Sequence, residues 1–392
     1  MIARMQYDVL VVGARCAGAA TAMLLARAGV RVMLVDRADY GSDTLSTHAL
    51  MRGGVLQLHR WGVLPQVVSA HTPAIRRTSF HYGEAVVDLP VKPSPGVEAL
   101  YAPRRTVLDR ILVDAARNAG AEVRHGLALA GLHGERGRGH RARFAGSDGE
   151  ITEIGADLVI GADGAASTVA RLMSAPIVHQ AHHAGAVVYG HWSGLTSSGY
   201  TWLYRPDLAA GIIPTNHGHC VFVAVPPARY RQTVRPDPAC AYHKLLEAIT
   251  PEIADALRDC RQDGALSVFP GRAGFMRQAA GSGWALVGDA GYFKDPLTAH
   301  GMTDALRDAE LLARAVVRGG PQHLSEYQAV RDALSMPLME ATEAIASFDW
   351  DLERLPGLHR TLNHAMKCEV DYLAALGCES STACFPALEL IS

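Results

Sequence analysis

The sequence has little that would suit a nucleic-acid binder, a disulfide-held domain or a membrane span. Lys and Arg number 37 against 39 Asp and Glu, a formal charge of −2, so the basic excess of a nucleic-acid surface is missing. Lysine occurs only at Lys92, Lys244, Lys294 and Lys367, and the arginine-rich remainder reads as composition, not as a phosphate-binding face. The seven cysteines (Cys16, Cys220, Cys240, Cys260, Cys368, Cys378, Cys384) are odd in number and lack CxxC spacing. That argues against a disulfide framework or a zinc site and fits a reducing compartment. Apolar runs do not exceed strand length, and a strand pattern starts within a few residues of Met1, which leaves room for neither a span nor a signal peptide. The expectation is a cytoplasmic protein. Internal repeats and low-complexity tracts are missing as well.

What remains is a chain of 392 residues, 49% hydrophobic and 19% charged, long enough for one large α/β unit with a smaller partner. It opens strand–turn–helix–strand, with an apolar run at 7–12, an Ala- and Leu-rich helix ending at Gly29, and a second strand at 31–35. Gly29 stands where a left-handed helix cap is wanted. Helices are expected at 52–61 and 106–118, strand-like sequence at 78–89, a breaker-rich loop at 90–96, and short strands across 121–156. The turn 134–139 reads as a solvated hairpin, not a basic patch. From 176 to about 277 the pattern is β-rich and aromatic, with strands at 186–191, 200–204, 210–214 and 220–225 and one helix near 242–249. A buried strand at 284–287, a helix at 303–318 and a mainly helical remainder with a loose tail beyond about 376 complete the reading.

Three stretches carry the nucleotide signal. The turn Gly13-Ala14-Arg15-Cys16-Ala17-Gly18 joins strand to helix; its first glycine permits the tight turn and its last the close helix packing. The helix N-terminus offers free N–H groups and a positive dipole end to a pyrophosphate. Arg15 stands in place of the middle glycine, where it either swings away or donates to a phosphate or a substrate acid. Asp36 closes the second strand, with Arg37 beside it, where an acid accepts ribose hydroxyls. Gly161-Ala162-Asp163-Gly164 and Gly288-Asp289 each end a buried strand and put a carboxylate at its C-terminal edge, where open α/β sheets bind ligands.

These residues resemble the FAD-dependent monooxygenases of the single-component aromatic hydroxylase superfamily, the p-hydroxybenzoate hydroxylase fold. The resemblance implies an α/β protein with a Rossmann-like FAD-binding domain, a glutathione-reductase-type βαβ unit with a β-meander. This is interleaved with a mainly β substrate domain and followed by a C-terminal helical region. It implies FAD-binding parts at 1–77, 100–175 and 280–320, substrate-domain parts at 78–99 and 176–279, and the helical region at 321–392. By resemblance, Gly13, Gly18 and Asp36 hold the ADP half of FAD, with Arg15, Cys16, Ala17 and Arg37 around it. Arg52 contacts the pyrophosphate and Arg105 the flavin side chain. Asp163 matches the Asp-Gly motif, and Asp289, after Gly288, binds the ribityl chain. Pro296 and Gly301-Met302-Thr303 form the loop against the isoalloxazine, where the N-terminus of the following helix faces the anion of reduced flavin. A second GxGxxG motif is missing, so NAD(P)H docks transiently as reductant.

The implied reaction captures O2 on reduced FAD as a C4a-hydroperoxide and hydroxylates or epoxidises an aromatic or polyketide-like small molecule. Such a site excludes water and gains from a base. Tyr189, His191, Tyr200, Trp202, Tyr204 and Thr215 suit an aromatic wall, since alternate strand residues share a face. His48, Tyr200, Trp202 and His300 are the substrate-side candidates, with Lys294 near the flavin loop. The histidines of His179-Gln180-Ala181-His182-His183 read as a polar connection, not a metal site. A reductase of C=C or C–C bonds, resembling the geranylgeranyl reductases, is the alternative. A halogenase is disfavoured because no lysine precedes Phe80 and the full Trp-x-Trp-x-Ile-Pro motif is missing. A flavin-binding regulatory role would lack the pocket. The C-terminal helices either cover that pocket or make a homodimer contact.

Overall fold

The computed structural model describes residues 6–135 and 139–378. The middle of the turn at 134–139 expected as a solvated hairpin, residues 136–138, and the tail from 379 onward lie outside the described residues. The apolar opening forms β1 (Gln6–Val12), which lies parallel between β2 (Val32–Val35) and β8 (Ile151–Gly161). β8 is in turn parallel to β18 (Trp284–Leu286), which forms a hairpin with β17 (Ala280–Gly281), and β2 is parallel to β5 (Glu122–Arg124). β6 (Leu127–Glu135) and β7 (Gly139–Gly146) add an antiparallel meander onto β8. β1 and β2 are buried along most of their length, as strands covered on both faces must be.

One face of this sheet carries α1 (Cys16–Arg27), packed between α4 (Arg105–Asn118) and α9 (Gly301–Arg318). α1 is rich in alanine and buries Ala19, Ala20, Ala22 and Met23, so two neighbours can close on it. The short helices α2 (Arg52–Arg60) and α3 (Leu64–Ser69) follow the second strand, and α5 (Thr168–Leu172) follows β8. Gly29 adopts φ +83°, the left-handed cap expected of it.

The second sheet runs β14 (Arg261–Gln262), β10 (Ala186–Ser193), β13 (Gly218–Val225), β12 (Leu208–Thr215), β11 (Tyr200–Arg205), β3 (Arg77–Tyr82), β4 (Ala85–Pro90), with β15 (Ser267–Phe269) also on β10. The strand-like stretch 78–89 is a hairpin, because Gly83 takes φ +64° and lets the chain reverse between β3 and β4. One face of the sheet presents Tyr189, Tyr200, Trp202, Tyr204 and Phe222 to the first unit. The other buries Val188, Leu203, Ile212 and Val223 beneath α7 (Pro238–Ile249). The single helix expected here is one of several: α6 (Pro227–Arg229), a π turn at Tyr230–Val234 and α8 (Pro251–Ala256) flank it. Pro227, Pro238 and Pro251 each open a short helix where a proline nitrogen lacks no bond.

A three-stranded patch of β9 (Ile177–Gln180), β16 (Phe275–Arg277) and β19 (Tyr292–Phe293) links the two units. The C-terminal helices α10 (Pro321–Ala346) and α11 (Leu355–Cys378) pack on each other, α10 also on α9 and α11 on α2. Trp350, between them, meets Tyr204 edge-on, and the ring of His359, in the first turns of α11, lies 4.8 Å from that of Tyr204. Tyr82 bonds His359 Nδ1 at 2.8 Å. The region after Gly320 therefore covers the outer half of the aromatic face.

Candidate active site

The turn after β1 is sterically tight. Gly13 takes φ +107°, and a Cβ there would stand 2.3 Å from the carbonyl oxygen of Ala162. A Cβ on Gly18 would stand 1.8 Å from that of Gly13. Both glycines are demanded by close approach of backbone. Asp36 closes the same turn, its carboxylate accepting the amides of Ala14 at 2.6 Å and Ala38 at 2.8 Å. Arg37 is exposed beside it. A narrow crevice opens here between Asp36, Gly41, Ser42 and His125.

Arg15 caps α1 without a side-chain capping bond and turns sideways. Its guanidinium donates to the carbonyl of Asp43 at 3.1 Å and lies 3.7 Å from Asp109. Arg105 pairs with the same Asp109 at 3.0 Å, and the Cys16 thiol donates to it at 3.1 Å. Asp109 thus gathers three site residues, and sequence reasoning missed it. The signal was present: an acid four residues after Arg105, among the buried positions Leu108, Leu112 and Ala116 of α4. Burial pushes the Cys16 thiol up, so it stays protonated.

The other two carboxylates behave differently. Asp163 turns to α5, accepting the Ser167 hydroxyl at 2.5 Å and the amides of Thr168 and Val169 at 2.6 and 3.2 Å. Asp289 sits on a one-turn 3₁₀ segment after β18, where Gly288 (φ +59°) brings the chain against α1; a Cβ there would meet that of Ala17 at 2.8 Å. Its carboxylate has no hydrogen-bond partner among the described residues, and burial raises it to about 6 despite Arg105 and Lys294 nearby. It lies 4.0 Å from where a Cβ on Gly301 would be.

Gly301, Met302 and Thr303 open α9, whose first internal bond runs from the amide of Asp304 to the carbonyl of His300 at 3.0 Å. The approach turn Pro296–Thr298 is capped by Asp295, which accepts the Leu297 amide at 2.9 Å and the Gly185 amide at 2.5 Å. Ala299 then takes φ +51°, a conformation a non-glycine residue holds only when its surroundings over-determine it. Arg52 begins α2 and reaches the carbonyl of Lys92 and, at 3.3 Å, the hydroxyl of Ser94. The Met51 amide before it donates to Thr303 Oγ1 at 3.1 Å, tying α2 to the opening of α9.

Behind this loop lies a buried charge cluster. Lys294 pairs with Asp304, and Arg307 with Asp304, Asp308 and Glu369 at 3.1, 2.7 and 2.9 Å. His300 meets Glu369 at 2.7 Å. Burial lowers Lys294 to about 7. His300, Asp304 and Glu369 bring ligand-type atoms within 4.8 Å of one another, but Lys294 and Arg307 already neutralise the two carboxylates. The histidines at 179–183 are not part of that group: His183 pairs with Glu343 at 3.3 Å, and the His182 amide donates to the same carboxylate.

The aromatic wall rises opposite. Tyr200 and Trp202 are buried in it, ring centroids 6.1 Å apart, and Trp202 leans on Phe222. Thr215 lies apart from them, donating to the carbonyl of Ala102 at 2.5 Å. At the near end His48 meets His191, Nε2 to Nε2, at 2.8 Å, and Tyr189 stands edge-on to His191. Burial drives both histidines to the neutral form, His191 to about 4.

The structure thus brings Gly13, Gly18, Gly288, Asp289 and the α9 opening close together at the C-terminal edge of the parallel strands, with Asp36 accepting the Ala14 amide in the same turn and Arg15 and Arg105 on the α4 side. A cradle that a Cβ would fill, an acid without a partner and three helix-opening amides are what an extended anionic dinucleotide requires. Such a parallel-sheet cradle beside an aromatic second sheet is the architecture of a flavoprotein. The FAD binding domain family matches residues 6–342, and the chain belongs to that family. It is a FAD-dependent oxidoreductase. The menaquinone reductase of Mycobacterium tuberculosis is 29% identical over 318 residues, 78% of this chain and 75% of that protein. The aklavinone 12-hydroxylase of Streptomyces purpurascens is 30% identical over 251 residues, 57% of this chain and 46% of that one. A solved flavin-dependent brominase superposes with TM-score 0.78 at 18% identity, covering 94% of this chain and 93% of its own. Among the described residues no helix is long and apolar enough to cross a membrane.

Proposed function

We propose that this protein is an NAD(P)H-dependent monooxygenase that hydroxylates or epoxidises an aromatic, polyketide-like small molecule with O2. The observation that carries the reading is the buried His48, bonded Nε2 to Nε2 with His191 at 2.8 Å at the near end of the aromatic wall. A base there would suit a hydroxyl-bearing ring held against that wall. FAD, when bound, supplies acceptance of hydride and activation of O2. Gly13 and Gly18 let the ADP half approach, Asp36 and Arg37 line its ribose side, and Asp289 with Arg105 takes the ribityl chain. The amides of Gly301, Met302 and Thr303 hold the flavin's pyrimidine edge, and Pro296 shapes that loop. Arg52 stands at the mouth and Asp163 sets the β8 edge through α5. Tyr200 and Trp202 form the wall that excludes water. His300, turned to Glu369 through Nε2, holds the loop.

The similarity to aklavinone 12-hydroxylase supports this substrate class. The similarity to menaquinone reductase, which spans more of the chain, supports a second reading: reduction of a C=C bond against the same apolar wall. Oxygen uptake with NAD(P)H that rises with a candidate phenol, and product carrying 18O from O2, supports the first. Substrate reduction in the absence of O2, with no label incorporated, replaces it with the second.

A further inference from the structure

We propose that the outer edge of β4 is an interface for a second copy of this chain, joining the second sheets of two protomers into one continuous sheet about a two-fold axis at Val87. The proposal goes beyond the flavin chemistry and stands whichever reaction the enzyme runs. β4 ends the second sheet, with only β3 beside it, and all six of its residues are exposed. Val86, Val87 and Leu89 are 52%, 43% and 49% exposed, three open aliphatic side chains within four positions. An edge of this kind is a template for another strand, and soluble proteins normally blunt it with lysine, a bulge or proline. β4 holds no lysine, its register with β3 runs unshifted from Ala85 to Pro90, and its proline comes last.

The pairing with β3 fixes which backbone groups β4 turns outward. Bonded and non-bonded pairs alternate along an antiparallel ladder. The Val91 amide donates to the Arg76 carbonyl at 2.9 Å, so the bonded set continues through Thr78 with Leu89, Phe80 with Val87 and Tyr82 with Ala85. The N–H and C=O groups of Val86 and Asp88 therefore point away from β3. A second β4 running antiparallel about Val87 sets Val86 opposite the partner's Asp88, and the two exchange main-chain hydrogen bonds on either side of the axis.

The side chains match in the same register. Ala85, Val87 and Leu89 share one face, as alternate strand residues do. The two-fold sets Val87 against the partner's Val87 and Ala85 against the partner's Leu89. On the other face Asp88 is already held by Arg77 and the Ser79 hydroxyl, so it brings no free charge opposite Val86. Glu84 before β4 and Lys92 after it are exposed, and an antiparallel partner brings the acidic end of one strand to the basic end of the other. Pro90, which lacks an outward N–H, falls at the end of the ladder. The neighbouring two-fold registers lose this match. Centring on Asp88 opposes two aspartates, and centring on Val86 sets Glu84 against Asp88.

The contact is small, so the dimer should be a weak one. Sedimentation of the FAD-loaded enzyme is expected to show monomer at about 0.1 µM and dimer at about 100 µM. Val87→Lys should stay monomeric at about 100 µM, with its flavin spectrum unchanged. A wild type that stays monomeric, whether its edge is bare or covered by another segment of the chain, overturns the proposal, as does a Val87→Lys dimer. Two cysteine variants read the register. Val87→Cys sets two thiols at a non-bonded pair, where Cα atoms stand about 4.5 Å apart, within disulfide reach. Val86→Cys leaves its thiols on diagonal positions about 7–8 Å apart, out of reach. Under mild oxidation Val87→Cys should cross-link at least about tenfold faster than Val86→Cys. Equal rates or the reverse order mean that the copies meet elsewhere or in another register, and overturn it.

Discussion

Glu369, on the last helix, hydrogen-bonds His300, the residue that caps α9, at 2.7 Å, and the same carboxylate takes Arg307 at 2.9 Å. The C-terminal helix thereby reaches the turn that opens α9 through one buried acid. Burial alone would raise that carboxyl, but His300 and Arg307 hold it down to about 2. The contact makes α11 part of the site's support and not an appendage.

Removing that charge leaves Arg307 short of a partner in a dry interior. Glu369→Gln should lower the stability of the protein by about 3 kcal/mol, the cost of breaking one side of a buried pair. The exposed control Glu353→Gln should stay within about 0.5 kcal/mol. Urea denaturation of the two variants checks this, and equal midpoints would refute the role of the pair.

Asp289 should be needed for cofactor retention. Asp289→Ala is expected to lose FAD during purification, read from the flavin absorbance relative to protein. A variant that stays yellow at full occupancy contradicts the placement of this carboxylate on the ribityl chain.

The same residue predicts a pH effect on the apoprotein. A carboxyl raised to about 6 when folded binds its proton more tightly in the native state. Folding therefore loses stability as pH rises from the unfolded value near 4 through 6. Asp289→Asn removes that penalty, so the variant apoprotein should be more stable than wild type at pH 7, by about 3 kcal/mol. The difference should vanish by pH 4. Thermal melts across that range decide it, and a gain that is independent of pH would falsify the burial argument.

Arg15→Gly should leave FAD affinity within about threefold of wild type, since the guanidinium is engaged with Asp43 and Asp109 and not with the turn. Titration of apoprotein with FAD measures it, and a large loss would show that the side chain holds phosphate.

Gly18→Ala tests the tight turn. Its Cβ would stand 1.8 Å from the carbonyl of Gly13, so backbone must move, at a cost of about 1–3 kcal/mol. FAD affinity and melting temperature should fall together. A variant that melts and binds as wild type would show that the turn has slack.

Much of this was legible along the chain. The phosphate turn, Asp36, the cap at Gly29 and the phases of α1, α2, α4 and α9 rest on local sterics and on periodicities of 3.6 and 2 residues, and these survive in any fold that buries the apolar face. Even Glu369 left a trace, since it interrupts the buried stripe Leu362, Ala365, Leu373, Leu376 of α11. Its partner could not be read, because nothing local says which cation a lone buried acid will find. The partnerships of Asp109, His48 with His191, and Trp350 with Tyr204 join residues from different elements, so only the packing of the two sheets and the C-terminal helices selects them. The sequence by itself determined where a dinucleotide could be gripped, because glycine clearance and helix ends are properties of neighbouring residues. Tertiary structure alone decided which acids and histidines stand free beside it, because charge and protonation depend on what burial brings near.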